Sequence, residues 1–281
     1  MMNIMRADMY RLLRGKTVYI MLAIMLVLVG FTVFVFRAAP QTGMIVISSE
    51  ESIDDEALGG LGEILNEFMI GDAAEVMSGA VAAQIALSSM DVLVYFILAV
   101  IIIVAMANFS CGTIKNDIAT GVGRVNLYFS KFLLSFILSV GLMLLYFFMT
   151  VAFALMVDGV GYWGNGFVLE VLASFGAQMV LVLAINSFGL FLGFVLRNDS
   201  AIGWIYLAIL FVPALILHLL SLAVPSALDL LRFDIITQFE YLSQITNITF
   251  AEAVRSFVIC AILIFVPTIA GISIFKRAEI K

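Results

Sequence analysis

Charged residues are scarce in this chain of 281 residues. Asp, Glu, Lys and Arg make up 12% of the sequence, and hydrophobic residues make up 64%. Soluble domains carry ~25% charged and ~45–50% apolar residues. Six stretches of 20 or more residues lack all four charged types, at positions 17–36, 92–114, 132–157, 171–196, 200–228 and 256–275. This composition excludes a soluble enzyme, a nucleic-acid-binding protein and a disordered chain.

Residues that build common catalytic and metal sites are also few. The chain has one histidine, His218, and two cysteines, Cys111 and Cys260, which are far apart in sequence. Zinc and haem sites need more such ligands, so we predict no metal site and no disulfide framework. Gly-Lys-Thr at 15–17 matches the end of a phosphate-binding loop, but Tyr10 stands where that motif needs its first glycine. We therefore predict no catalytic residue, no bound cofactor and no ATP hydrolysis by this chain.

The apolar stretches predict an all-α polytopic membrane protein with six transmembrane helices. Only helices and closed barrels satisfy their backbone hydrogen bonds in lipid, and these stretches are continuous rather than alternating. A helix needs ~20 apolar residues to cross the hydrocarbon core. Within a single domain of residues 1–281, we predict spans at 17–37, 91–109, 131–157, 168–197, 201–224 and 254–275.

Basic residues predict how the spans are oriented. With the N-terminus in the cytoplasm, 11 of the 14 Lys and Arg residues fall on the cytoplasmic side, and 16 of the 20 acidic residues fall outside. Cytoplasmic segments of membrane proteins carry an excess of Lys and Arg. We therefore predict a multi-pass protein with both termini in the cytoplasm.

Three connecting segments carry recognisable patterns. Residues 1–16 have an apolar and a charged face, which predicts a helix at the cytoplasmic membrane interface. Its charged face holds Arg6, Asp8, Arg11 and Arg14. Residues 38–90 form an acidic outer loop without Lys or Arg, which is either simply solvated or attracts cations. Residues 225–253 are too polar to cross and are predicted to form extracellular helices before the sixth span.

The interiors of the predicted spans hold only mildly polar residues. An ion-coupled carrier usually keeps a carboxylate near the middle of the membrane, and none is expected here. We predict that a substrate path runs along the mildly polar residues Gln178, Asn186, Ser187, Tyr146 and His218. A role in hydrogen bonding between helices stays open for these residues, and it is the favoured interpretation for His218.

The segment at 110–130 is the most informative one, because it is short, polar and interrupted by glycines. Composition alone leaves open whether it is a plain connection or a surface that docks into a partner. It contains Gly-Thr-Ile-Lys-Asn at 112–116 and Gly-Val-Gly-Arg at 121–124, followed by Tyr-Phe-Ser-Lys at 128–131. In their order and spacing, these motifs resemble the ABC-2 type permeases, the membrane subunits of many bacterial ABC exporters. The opening at 7–14 and the ending at 275–281 are similar to that family as well.

The resemblance implies a permease subunit in a bacterial plasma membrane. Such a subunit pairs with a second permease, identical or different, and with two copies of a separate ATPase subunit that holds ATP and magnesium. Residues 110–130 would be the cytoplasmic coupling helix. The matching positions assigned to ATPase coupling are Gly112, Thr113, Lys115, Asn116, Asp117, Arg124, Tyr128 and Lys131.

Since the spans carry few charges, an amphipathic or hydrophobic cargo is expected, such as a peptide, a drug or a lipid-like molecule. It would move outward by alternating access. The alternatives are a stand-alone secondary transporter or channel, a membrane enzyme, and an ABC-type sensor subunit that moves no cargo.

Overall fold

The computed structural model describes residues 5, 8–10, 12, 14–38, 79–106, 121, 123–158, 167–221, 225–245 and 248–277. Every regular element within these ranges is helical. Five helices are long and apolar enough to cross a membrane. The chain is thus an all-α, multi-pass membrane protein.

The α-helices of the described ranges follow one another along the chain. They are α1 (Lys16–Ala38), α2 (Gly79–Ser88), α3 (Leu93–Ile101), α4 (Arg124–Asp158), α5 (Phe167–Leu196), α6 (Asp199–Ser221), α7 (Thr237–Ser243) and α8 (Phe250–Arg277). A 3-10 turn at Ser89–Val92 joins α2 to α3, and a π-helical stretch at Ile102–Met106 continues α3. A second 3-10 helix, Pro225–Phe233, precedes α7.

The five candidate spans are Ala83–Val104, Arg124–Phe153 and the helices α5, α6 and α8. In α1 the apolar stretch that can be described, Lys16–Thr32, is shorter than these. The first of the six predicted spans, at 17–37, therefore stays a prediction.

The second long helical segment starts earlier than the apolar pattern indicated. It begins at Gly79, which is 12 residues before the predicted start at position 91. Ser89 donates its hydroxyl hydrogen to the Ile85 carbonyl at 2.7 Å, so a local side-chain bond accompanies the 3-10 turn. Asp91 ended the charge-free stretch in the sequence, but it does not end the helix. The carboxylate therefore lies inside the candidate span.

Helix α4 also starts earlier than the predicted third span, at Arg124 rather than at position 131. Gly121 has a φ of 89°, a left-handed conformation that favours glycine. The helix follows directly, and the Leu127 amide donates to the Gly123 carbonyl at 3.0 Å. Residues 124–130, expected within the coupling segment, are consequently the first turns of α4.

Helix α5 is the centre of the bundle. In its most apolar stretch 61% of the residues are buried, against 17% in α6 and in α8. The Ser187 hydroxyl of α5 donates to the Ile264 carbonyl of α8 at 3.0 Å and lies 2.7 Å from the Thr268 hydroxyl. The exposed sides of α6 and α8 are rich in large apolar residues, as expected for helices in contact with acyl chains.

A tight turn connects α5 to α6. Arg197 has a φ of 52°, which is a left-handed conformation. The side-chain oxygen of Asn198 accepts the backbone N–H groups of Ser200 at 3.0 Å and Ala201 at 3.3 Å. Asn198 thus caps the first turn of α6 and satisfies two of its free amides.

The approach of α8 to α4 depends on Gly271. A β-carbon at this position would lie 2.8 Å from the Tyr128 hydroxyl oxygen and 3.1 Å from two carbons of its ring. Because the ring is buried and has little room to shift, we expect Gly271→Ala to lower the free energy of unfolding by about 1–3 kcal/mol. Unfolding of the purified protein in detergent measures this change.

Gly176→Ala on α5 is the matched control, since no described atom lies within 4 Å of a β-carbon there. It should stabilise the helix by about 0.5–1 kcal/mol. Equal stability of the two variants would contradict the close packing of α8 on Tyr128.

Candidate functional site

A buried ion pair attaches the N-terminal residues to α4. The Lys131 ammonium group on α4 pairs with the Asp8 carboxylate, and their side chains are only 1% and 13% exposed. Leu12, one turn after Asp8, is buried as well. We call this part of the bundle, where Asp8 meets the first turns of α4, the Lys131 end.

Arg124 connects the start of α4 to the end of α8. Its guanidinium group donates to the Phe275 carbonyl at 3.2 Å and to the Lys276 carbonyl at 2.8 Å. The last carbonyls of a helix have no partner within that helix and carry the negative end of its dipole. The first residue of α4 therefore caps the last turn of α8.

An aromatic cluster lies beside these charges. The Tyr128 ring of α4 packs against Phe194 of α5, with centroids 4.8 Å apart. Phe194 in turn packs edge-on against Phe275 of α8 at 4.8 Å. The Tyr128 hydroxyl is buried and finds no hydrogen-bond partner among the described residues. Three helices thus share one aromatic core at the Lys131 end.

Three residues near the start of α4 share one face of that helix because of their spacing. Arg124, Tyr128 and Lys131 are four and three residues apart, which places them on one face of a helix. Arg124 contacts α8, Tyr128 contacts α5 and α8, and Lys131 contacts Asp8. The first turns of α4 are therefore in direct contact with all three elements.

The structure brings together only part of the predicted coupling site. Arg124, Tyr128 and Lys131 lie together with Asp8, as described above. Arg14 is exposed and stacks over the Tyr10 ring at 5.0 Å. The predicted residues that lie outside the described ranges are Gly112, Thr113, Lys115, Asn116, Asp117, Arg6 and Arg11.

The residues predicted to form a substrate path are distributed over separate helix contacts. The Gln178 amide group donates to the Leu87 carbonyl at 2.8 Å and to the Phe239 carbonyl at 3.1 Å. The Tyr146 hydroxyl lies 2.8 Å from that of Ser89. These bonds hold α2, α4, α5 and α7 together.

The remaining path residues follow the same pattern. Asn186 donates to the Phe132 carbonyl of α4 at 3.5 Å, and Ser187 bonds to α8. His218 is exposed on α6, away from these buried contacts. All of the buried path residues therefore connect helices.

Asp91 is a functional candidate that the sequence analysis missed. It lies within the candidate span Ala83–Val104, so the expectation that no span interior holds a carboxylate is wrong there. Leu87, one turn earlier, already contacts Gln178 well inside α5. Asp91 thus lies alongside the neighbouring spans and not beyond their ends.

Arg255 occupies an aromatic site at the opposite end of the bundle. Its guanidinium carbon lies 5.9 Å from the Phe233 ring centroid and 5.4 Å from that of Tyr241. Cations are attracted to the faces of such rings. Nε and Nη2 of Arg255 are buried and have no hydrogen-bond partner within the described part of the chain. The cation therefore holds the segment before α7 and α7 itself against α8.

No protein-family model and no curated protein matches this sequence. The geometry of the Lys131 end and the position of Asp91 are therefore the observations on which a functional proposal depends.

The contribution of the Asp8–Lys131 pair can be measured with a double-mutant cycle. Asp8→Asn and Lys131→Gln each remove one charge from a buried pair, which is costly for the charge that stays. We expect a coupling energy of about 1–3 kcal/mol in unfolding experiments.

The control cycle uses the exposed pair Asp229–Arg232, whose atoms are 3.0 Å apart. Water screens this pair, so its coupling should be below about 1 kcal/mol. A coupling energy for Asp8–Lys131 no larger than this control would show that residues 8–14 are not attached through the pair.

Proposed function

We propose that this chain is the membrane-spanning permease subunit of an ATP-driven ABC-2 type exporter in a bacterial plasma membrane. It works as a homo- or heterodimer with two copies of a separate ATPase subunit, which bind and hydrolyse ATP. The chain crosses the membrane six times, and both of its termini are cytoplasmic.

The observation that carries this proposal is the convergence at the Lys131 end. The residues that resemble the family's coupling motif continue directly into α4, where Arg124, Tyr128 and Lys131 contact three other elements. A coupling segment must pass movement from a partner to several helices at once, and contacts with three other elements suit that role.

Charge supports the orientation. The Lys131 end carries Lys16, Arg124, Lys131, Arg197, Lys276 and Arg277. The end of a membrane protein with an excess of Lys and Arg usually faces the cytoplasm, which is the side where a soluble ATPase subunit would bind. The proposed docking surface for the ATPase subunit is therefore the Lys131 end.

Transport follows from these contacts. Closure of the ATPase pair pushes on residues 110–130, and α4 carries the displacement to residues 8–14, α5 and α8. The helices then tilt as nearly rigid bodies, and access to the cargo changes from inside to outside. The cargo is amphipathic or hydrophobic, since Asp91 is the only carboxylate away from the ends of the candidate spans in the described chain.

The proposal is tested by capture of the ATPase subunit on the purified, tagged permease. Lys115→Glu and Arg124→Gln should each weaken capture by about tenfold, which corresponds to ~1.4 kcal/mol. Lys115→Glu is the cleaner of the two because Arg124 also caps α8. Arg232→Glu is the control, as an exposed residue at the opposite end.

The proposal would be contradicted if the permease captured no ATPase subunit, or if the Lys115→Glu variant kept full transport. If the permease captures an ATPase subunit but moves no cargo, the alternative of an ABC-type sensor subunit is favoured.

Asp91 favours a second candidate, a carrier that works alone and is driven by an ion gradient. A carboxylate inside a span is costly and often belongs to a proton or ion pathway. Ser89, two residues before Asp91 in the same 3-10 turn, bonds to Tyr146 of α4, so the turn that holds Asp91 contacts a neighbouring span. The argument from missing carboxylates, which counted against a carrier, therefore no longer holds.

Transport by proteoliposomes carrying Asp91→Asn distinguishes the two candidates. The exporter should need ATP and its ATPase and should keep its rate within about threefold in this variant, because coupling occurs at the Lys131 end. The carrier should need an ion gradient and should lose transport. Asp229→Asn, at an exposed carboxylate, is the control and should behave like the unmodified protein in both cases.

A further inference from the structure

An apolar cavity of about 250 Å³ lies between α1, α4 and the π-helical end of α3. Its lining includes Leu12, Val18, Val104, Gly141 and Leu145. None of the predicted coupling or path residues contributes to it. The cavity is therefore separate from both sites discussed above.

Two local features create this space. The π-helical stretch Ile102–Met106 has wider turns than an α-helix, and its residues Ile103 and Val104 face the cavity. Gly141 on α4 adds no side chain, and no described atom lies within 4 Å of a β-carbon there. A larger side chain at Gly141, or at a residue of the π-helical stretch that faces the cavity, would fill this space.

The cavity opens towards the side of the bundle. Gly141 and Leu145 line it and are also exposed on the surface of α4. α4 is a candidate span, so this opening faces the hydrocarbon of the bilayer. A lipid chain can enter from the side without crossing the protein.

Size and chemistry favour a linear chain as the occupant. Pockets for compact small molecules measure ~300–1,000 Å³ and hold a few polar groups that orient the ligand. This cavity is smaller, and its lining side chains are all apolar. A methylene chain needs no polar partner, and it gains dispersion contacts with the apolar side chains that line the cavity.

Charge at one end of the cavity identifies the head group. Arg14 and Lys16 are exposed and lie in sequence between the lining residues Leu12 and Val18. Basic residues next to a membrane helix attract anionic lipid head groups. We propose that the cavity holds one acyl chain of an anionic phospholipid from the surrounding bilayer, with its head group at Arg14 and Lys16.

The lipid completes the contact between α1 and α4. Residues 8–14 are attached to α4 by the Asp8–Lys131 pair, and the acyl chain fills the space beyond that attachment. This inference depends on the chain being embedded in a bilayer and not on the transport function proposed above.

The test uses the full chain in nanodiscs of phosphatidylcholine that contain a minor fraction of phosphatidylglycerol with a photoreactive acyl chain. Cross-linked peptides are mapped by mass spectrometry. Labelling at 137–145 should exceed labelling of the exposed side of α6, which reports ordinary contact with bulk lipid. Photoreactive phosphatidylcholine should label the cavity less strongly.

Gly141→Leu should lower cavity labelling by about fivefold, because its side chain fills the space. Gly176→Leu is the matched control, a glycine exposed on α5 that does not line the cavity. The combined change Arg14→Gln and Lys16→Gln should remove the preference for phosphatidylglycerol. Native mass spectrometry of the unmodified protein gives a second readout, in which one phosphatidylglycerol should stay bound after detergent extraction.

Equal labelling of the cavity and of α6, or labelling unchanged by Gly141→Leu, would overturn the proposal. Equal labelling by the two lipids would overturn the assignment of an anionic head group. If Gly141→Leu does not fold, absence of a retained phosphatidylglycerol in the native mass spectrum would overturn the proposal by itself.

Discussion

A bilayer core offers no hydrogen-bond partners, and this constraint decides how polar side chains are used throughout the bundle. A polar group there that finds no partner in protein costs free energy, and the buried Tyr128 hydroxyl is an exception to the pattern within the described residues. Gln178 donates to two carbonyls outside its own helix, Ser187 to α8, and the Tyr206 hydroxyl to the Val94 carbonyl at 3.1 Å. Polar residues that first resemble a pathway for cargo are thereby the contacts that hold the helices in register.

The same constraint shapes the Lys131 end, where charges meet the membrane boundary. Lys131 is buried against Asp8, and Arg124 satisfies carbonyls that would otherwise lack a partner at the end of α8. The residues with which a partner would engage are consequently also residues that hold the fold together. A mutation there changes both stability and communication between helices, so the two effects have to be measured separately.

Much of the fold could be predicted from the sequence, because apolar length and charge placement are local properties. The charge-free stretches locate α5, α6 and α8 to within a few residues. The start of the second segment was missed, since Asp91 interrupts the apolar run while the helix continues through it. The partner of Lys131 could not be found either. The pair joins positions 123 residues apart, and no pattern within one sequence encodes such a contact.

The short turn between α5 and α6 affects how the protein reaches its membrane. Only Arg197 and Asn198 separate the two helices, and the Asn198 side chain already closes the first turn of the second one. A connection this short keeps the two helices adjacent from the moment of synthesis. We therefore expect the two helices to enter the lipid together as one antiparallel hairpin, so that α5 is not inserted alone.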